Sequence, residues 1–301
     1  MTNQELPKGI SQYFRGRPEL AESSSFSAFY SARNSSWECF LQNRALTGQE
    51  PKAFAITLDT MLGYPETRQR DLDDLKKHAK ECASILYGLE AESVIIDRAY
   101  LMTNGSSLPL RVDLSAANKI MTEQTMYVKA FDFVRLFGLE LYRIIAGADD
   151  YRFFFNRGII VEDGQKGKHE FELNWNPNSC ENYKREKAMM NVVSFYMGLH
   201  DLAKKDNYVI YPNGRTRVID FDVMEVYSDD DIAAIKVQTA RELGIGNEEY
   251  EKMHEEERQM LQTRLLQKKE TILRLIRAFG CLDRDMKRIT DYAEKNMISL
   301  L

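Results

Sequence analysis

Histidine and cysteine are scarce in this chain of 301 residues, which limits the chemistry that its side chains can support. It has four of each, and no two cysteines have the Cys-x-x-Cys spacing of a zinc or redox site. The cysteines lie far apart, at positions 39, 82, 180 and 281. We therefore expect neither a disulfide framework nor a zinc site, but free thiols in a reducing compartment.

Long hydrophobic runs and an excess of basic charge are also absent. No stretch reaches the ~18 consecutive apolar residues of a membrane-spanning helix. The first 20 residues, MTNQELPKGISQYFRGRPEL, are polar and lack the apolar segment of a secretory signal peptide. The formal net charge of -5 gives no general attraction to nucleic acid or to acidic membranes. We therefore expect no membrane span, no Sec signal peptide and no nucleic-acid partner.

What the chain does contain is typical of a folded protein with a sizeable core. Hydrophobic residues make up 44% and charged residues 29%, enough for one two-lobed domain or two ordinary ones. Apolar periodicity predicts both helices and strands. The predicted helices lie at the end of 23–46 and over 54–62, 70–89, 133–147, 182–199, 229–243, 247–279 and 284–300. The predicted strands lie over 93–102, 108–114 and 125–131, and a further strand pair is formed by 151–164 and 169–176.

A β-hairpin is predicted around Asn213-Gly214, because apolar runs flank this dipeptide on both sides. Asn207 precedes the first predicted strand, and Asp220 comes near the end of the second. The open ends of antiparallel strands lie side by side, about 5 Å apart. The sequence therefore predicts that Asn207 and Asp220 lie close together.

These polar residues follow a recognisable order. His200-Asp201 comes first, Asn207 follows, and Ile219-Asp220-Phe221-Asp222 comes last, with Asp220 thirteen residues after Asn207. In this order they resemble the protein-kinase-like superfamily, which includes protein kinases and the aminoglycoside and choline phosphotransferases. The Ile-Asp-Phe-Asp form resembles the small-molecule phosphotransferases and atypical kinases more than it resembles Asp-Phe-Gly.

The resemblance implies an α+β, two-lobed protein-kinase-like fold. We expect an N-terminal helical extension over 1–90, a β-rich N-lobe over 91–176 and a helical C-lobe over 177–301. The C-lobe would carry the catalytic loop and the metal-binding hairpin. ATP and Mg²⁺, or Mn²⁺ as an alternative metal, would be the cofactors.

The resemblance also implies roles for particular residues in the C-lobe. Phosphoryl transfer depends mainly on positioning and charge neutralisation, and Mg²⁺ prefers oxygen ligands. Asp220 and Asn207 would be the metal ligands. Asp201 would orient the attacking hydroxyl and accept its proton. Lys204, or Lys205 next to it, would neutralise charge on the transferred group.

In the N-lobe, the family has a phosphate-binding lysine on the third strand, paired with a glutamate on the next helix. Lys129 and Glu140 are the residues that fit these two positions. Gly105 and Ser106, in the turn between the first two strands, would cover the phosphates with backbone N–H groups.

Several departures from the family pattern indicate an atypical member. His200 and Asp201 are adjacent, no Gly-x-Gly-x-x-Gly loop exists, and no Ala-Pro-Glu motif follows Asp222. The expected function is an atypical kinase that phosphorylates a protein hydroxyl, of the kind found among secreted bacterial effectors. Its substrate would then be a host protein, and its location the cytoplasm or a host-cell cytosol.

Three alternatives remain open from the sequence. The first is a small-molecule phosphotransferase of the aminoglycoside or choline kinase type, and the second is a nucleotide-binding pseudokinase. The third keeps the fold and changes the chemistry to AMP transfer or glutamate activation. Some effector kinases need a host activator. Lys184, Arg185 and Lys187 form a basic cluster that would suit a polyphosphate, although a solvated helix face is the favoured interpretation.

Overall fold

The structure is a computed structural model that describes residues 6–15, 55–57, 69–102, 110–116, 124–148, 151–155, 159–165, 167–199, 202–205, 207–221 and 227–301. The fold is α+β, as expected. The chain divides into two compact units that interleave along the sequence. The sheet unit comprises Gly16–Asp132 and Arg152–Lys166, and the helical unit comprises Met1–Arg15, Phe133–Tyr151 and Gly167–Leu301.

The sheet unit is built around an antiparallel sheet. Its described strands are β1 (Ala55–Thr57), β2 (Val94–Met102), β3 (Leu110–Ala116), β4 (Gln124–Ala130), β5 (Phe153–Phe155) and β6 (Ile159–Gln165). They are arranged in the order β1-β2-β3-β4-β6-β5. The predicted strands at 93–102, 108–114 and 125–131 are confirmed as β2, β3 and β4.

Helix α2 (Gln69–Tyr87) packs with one face of this sheet, and its prediction over 70–89 is confirmed. Its buried residues, including Cys82, join a hydrophobic core with Met126 and Val128 of β4. Side chains alternate between the two faces of a strand, so Tyr127 and Lys129 point to the other face. The sheet thus separates an apolar face from a face that carries a buried lysine.

Two sequence predictions about this region were wrong. The segment 54–62 was predicted as a helix, but Ala55–Thr57 is a strand that pairs antiparallel with the end of β2. Pairing with a partner some 45 residues away overrides the local pattern. The segment 169–176 was predicted as a strand paired with 151–164. Instead, β5 pairs with β6, and Glu170–Glu172 forms a 3₁₀ turn. The His169 N–H donates to Glu172 Oε2 at 2.8 Å, a local bond that competes with strand pairing.

The helical unit is organised around one long helix. Its described helices are α1 (Lys8–Tyr13), α3 (Phe133–Ala146), α4 (Glu181–Met197), α5 (Asp229–Leu243), α6 (Asn247–Phe279) and α7 (Arg284–Leu300). Helix α6 contacts all five others. The rings of Phe137 and Phe279 lie 5.4 Å apart between α3 and α6. Glycine at position 9 lets α1 approach α6, because a Cβ there would lie 3.2 Å from the Ala278 carbonyl oxygen.

The predicted helices at 133–147, 182–199, 229–243, 247–279 and 284–300 are confirmed as α3 to α7, whereas α1 is not among the helices predicted from the sequence. The ends of two of these helices have local causes. Helix α3 ends before Gly147, whose φ of 67° is the left-handed conformation that glycine adopts without strain. Helix α5 begins after a capping box in which Ser228 and Asp231 satisfy each other's backbone N–H. The predicted domain boundaries at residues 90 and 176 do not coincide with the two units, and as domain boundaries they stay predictions.

Candidate functional site

The predicted hairpin is present in the helical unit, and it brings Asn207 and Asp220 to the same end. Strands β7 (Tyr208–Ile210) and β8 (Thr216–Val218) pair antiparallel, with Tyr208 opposite Val218. Beyond that pair, the Ile219 N–H donates to the Asn207 carbonyl oxygen at 2.7 Å. Asp220 follows Ile219 directly. An amide and a carboxylate therefore leave the hairpin at its open end from neighbouring backbone positions.

Helix α3 holds the chain that carries Asp220. At Gly138 a Cβ would lie 3.2 Å from Phe221 Cβ, so glycine allows the helix to approach this chain closely. The rings of Tyr142 and Phe221 lie 5.5 Å apart. The Tyr151 hydroxyl donates to the Val218 carbonyl oxygen at 3.0 Å. The residues on both sides of Asp220 are therefore fixed by packing against α3 and the chain that follows it.

Arg135, in the first turn of α3, is a neighbour that the sequence analysis missed. Its Nε lies 4.0 Å from Asp220 Oδ1, and the two side chains are 7% and 20% exposed. The buried guanidinium therefore places a positive charge beside this carboxylate. An arginine within the mainly apolar run FVRLFGLELYRIIA is the sequence signal that would have identified it.

The loop between α4 and β7 supplies the other predicted residues. Leu199 and Leu202 are buried, whereas Lys204 is exposed in the turn. The Asn207 N–H donates to the Lys204 carbonyl oxygen at 2.9 Å, so the structure brings these two residues together. Asp201, the predicted base, lies outside the described residues.

In the sheet unit, Lys129 is almost completely buried on β4, the predicted third strand. Its Nζ lies 3.5 Å from Oε1 of Glu162, which is on the neighbouring strand β6 and is 0% exposed. Glu162 was not predicted to take part. An acidic residue inside the apolar run IIVEDG was the signal for it. Gly105 and Ser106 lie outside the described residues.

Glu140 belongs to the helical unit, where it is fully buried on α3. It accepts hydrogen bonds from Arg143 Nε at 2.9 Å and from the Tyr13 hydroxyl at 2.8 Å. Helices α1 and α3 are thus joined through this carboxylate. Because Lys129 and Glu140 belong to different units, their predicted pairing remains a prediction.

The three basic residues proposed as a polyphosphate cluster do not share an open surface. Lys187 is buried. Lys184 pairs with Glu181 at 3.5 Å, and Arg185 pairs with Glu256 at 3.1 Å. This geometry gives no support to an activator site there.

The residues present fit a magnesium ion by the chemistry of their donor atoms. Carboxylate and amide oxygens are the ligands that Mg²⁺ takes, and it usually binds one or two carboxylates together with substrate phosphates. Asp220 and Asn207 supply such a set. No group of three or more His, Cys, Asp or Glu that would hold a metal occurs in the described part of the chain.

Comparisons with known proteins do not identify a family for this chain. No model of a known protein family matches it, and no curated protein has a significantly similar sequence. Among the helices of the described residues, none combines the length and the apolar character needed to cross a membrane.

Proposed function

We propose that this protein is an atypical kinase that transfers a phosphoryl group from ATP to a protein hydroxyl with the help of Mg²⁺. The observation that supports this best is the hairpin that returns Asp220 to Asn207. Its position after a helix and a loop agrees with the order in the protein-kinase-like superfamily. A two-lobed arrangement with ATP between the lobes is part of the proposal.

The side chains would divide the work as follows. Asn207 and Asp220 would hold Mg²⁺, which when bound neutralises charge on the phosphates. Arg135 would place a positive charge beside the Asp220 carboxylate. The exposed Lys204 would attract the transferred group, and Asp201 would accept the proton of the substrate hydroxyl. Lys129 and Glu162 would provide a cation and its counter-ion in the sheet unit.

The proposal is tested with Asp220→Asn, which keeps the size of the side chain and removes its charge. Phosphoryl transfer from labelled ATP in the presence of Mg²⁺ should fall on the order of 10²–10³-fold or more, because a ligand that acts on transition-state charge is lost. Asp230→Asn, at an exposed carboxylate in the first turn of α5, is the matched control and should keep full activity. Normal transfer by a folded Asp220→Asn variant would end the kinase proposal.

The same assay separates the kinase from the small-molecule phosphotransferase when protein acceptors and a panel of small alcohols are offered in parallel. Mass spectrometry of the product distinguishes a phosphoryl group from AMP. A protein substrate and a location in the cytoplasm or a host cytosol are part of the proposal.

A nucleotide-binding pseudokinase is the second candidate, and Arg135 favours it. A guanidinium 4.0 Å from the carboxylate competes with a metal ion for the same negative charge. In that case ATP would raise the melting temperature without being turned over. Arg135→Met should then strengthen Mg²⁺-dependent nucleotide binding, whereas in an active kinase it should weaken catalysis.

A further inference from the structure

Lys187, on helix α4, is buried and reaches the loop that leads to Asn207. Only 3% of this residue is exposed to solvent. The amine Nζ donates to the carbonyl oxygen of Ala203 and, at 3.3 Å, to the hydroxyl of Tyr208. It also lies 5.1 Å from the centre of the Tyr208 ring, a cation–π contact. One buried cation thus contacts the chain on both sides of Asn207.

The partner of Lys187 is itself held in place. The hydroxyls of Tyr208 and Tyr183 lie 2.7 Å apart, and the Tyr183 hydroxyl donates to Glu170 Oε2 at 3.5 Å. Lys205, in the same loop, donates to Glu170 Oε1 at 2.8 Å. A chain of polar contacts therefore connects the loop, the first strand of the hairpin, helix α4 and the 3₁₀ turn Glu170–Glu172.

The charge of Lys187 is stabilised mainly by neutral oxygen atoms. It forms no salt bridge with a described residue. Burial lowers the pKa of its amine to about 8, and Glu242 and Glu170 partly oppose that effect. The amine still carries its proton near neutral pH, and a charged donor makes a stronger hydrogen bond than a neutral one.

We infer that Lys187 is a positioning residue, which fixes the loop before β7 and thereby sets the place of Asn207. The Ala203 carbonyl comes four residues before Asn207, and Tyr208 comes directly after it. Between these two residues, the Asn207 N–H donates to the Lys204 carbonyl oxygen. This hydrogen bond couples the position of Asn207 to the loop that Lys187 holds. The effect on catalysis rests on the proposed function, whereas the effect on the loop does not.

The substitution Lys187→Met tests this inference, because methionine keeps the unbranched apolar chain and removes the amine. The Ala203 carbonyl then loses the hydrogen bond from the buried amine. Backbone carbonyl groups inside folded proteins are rarely left without a hydrogen-bond donor. We expect hydrogen exchange of the Asn207 backbone amide, which is bound to the Lys204 carbonyl, to become roughly 10-fold faster. Lys184→Met is the matched control, because Lys184 lies one turn earlier on α4 and contacts Glu181 instead of the loop. It should leave that exchange unchanged.

A second readout separates positioning from a general loss of stability. Misplacing Asn207 should lower the apparent affinity for Mg²⁺ in nucleotide binding by roughly 10–100-fold, the range for residues that support a metal ligand. Nucleotide binding measured without metal should change by less than about threefold, because Lys187 touches no predicted nucleotide-binding residue. A variant that is merely less stable would not produce this split.

Each outcome decides between the two proposals. Unchanged exchange of the Asn207 amide in Lys187→Met would overturn the inference. Faster exchange in Lys187→Met, together with full activity of Asp220→Asn or no transfer by the wild type, would support the positioning role and reject the kinase proposal. If Lys187→Met does not fold, Tyr208→Phe removes the hydroxyl that accepts from Lys187 and contacts the Tyr183 hydroxyl. Exchange that stays at the wild-type rate in Tyr208→Phe would then overturn the inference.

Discussion

Each of the two units buries a lysine, and the two lysines are stabilised differently. In the sheet unit, Lys129 and Glu162 lie 3.5 Å apart on adjacent strands, with side chains 1% and 0% exposed. In the helical unit, Lys187 is bound by a backbone carbonyl and a tyrosine hydroxyl. The sheet unit thus offsets one charge with another, whereas the helical unit surrounds a charge with dipoles.

The difference follows from the architecture around each lysine. Antiparallel strands fix backbone positions, so Lys129 and Glu162 are diagonal neighbours on one face of the sheet. A loop instead leaves carbonyl groups without strand partners, and Lys187 supplies a donor to one of them. Breaking the pair in the sheet is therefore expected to cost stability in that unit, while the lysine at the loop contributes to its local shape.

The largest effect that tests this comparison is expected at Glu162. Glu162 is a counter-charge of the buried Lys129, and breaking a buried ion pair by removing one partner costs about 3–5 kcal/mol. Glu162→Gln should lower the free energy of unfolding by that amount, measured by urea denaturation with a probe in the sheet unit. A loss below about 1 kcal/mol would show that the pair does not stabilise the sheet.

The double variant Glu162→Gln/Lys129→Met is the control for that measurement. Removing both charges together costs less than breaking the pair, because no buried charge then loses its counter-charge. Most of the stability lost in the single variant should therefore return. Two additive losses would mean that the two side chains act independently.

The next largest change in the free energy of unfolding is expected in the helical unit when the pH is lowered. His254 is buried, and burial together with Lys236 lowers its pKa to about 4. In the unfolded chain this histidine takes up a proton near pH 6.5, but in the folded chain only near pH 4. The neutral His254 therefore contributes its full share to the free energy of unfolding above pH 6.5, and this share is lost as the pH falls towards 4. The loss amounts to roughly 3 kcal/mol between these values.

This contribution is measured by comparing the wild type with His254→Phe at several pH values between 7 and 4. Phenylalanine suits the site, because the His254 ring lies 5.8 Å from Phe195 and 6.2 Å from Tyr250. The variant should lose less stability on acidification than the wild type. Parallel stability curves for the two proteins would contradict the assignment.

The smallest effect is expected at Lys205, which belongs to the same polar network as Lys187. Its side chain is 56% exposed, and its ion pair with Glu170 spans 2.8 Å. Exposed pairs contribute only about 0–1 kcal/mol. Lys205→Ala should therefore change the free energy of unfolding by less than about 1 kcal/mol and leave Asn207 in place. A loss as large as that of Lys187→Met would show that the surface pair, and not the buried amine, supports the loop.

The parts of the fold that the sequence predicts are those with local causes. The long helix at 247–279 was predicted with the observed bounds, and the hairpin followed from Asn213-Gly214. The segment Ala55–Thr57 could not be predicted in the same way, because its strand depends on a partner far along the chain. For the same reason, the sequence did not show which strand pairs with 153–155.

The candidate site divides in a similar way. Asn207 and Asp220 could be placed together because one hairpin joins them. Arg135 and Glu162 could not be assigned, since each meets its partner through packing of elements that are distant in sequence. Lys187 was considered as part of a surface cluster, and only the packing of α4 against the loop reveals its contact with Ala203.

The interleaving of the two units has a consequence for the order in which the chain folds during synthesis. All described strands of the sheet unit have left the ribosome once the chain extends beyond residue 165 by enough residues to fill the exit tunnel. Helices α1 and α3 emerge by then as well, but their partner α6 begins only at residue 247. Most residues of the apolar helix α3 are buried in the finished protein. During synthesis they remain exposed until α6 has been made. A nascent chain stopped before α6 should therefore bind chaperones that recognise exposed apolar segments, and release from the chaperone should coincide with the synthesis of α6.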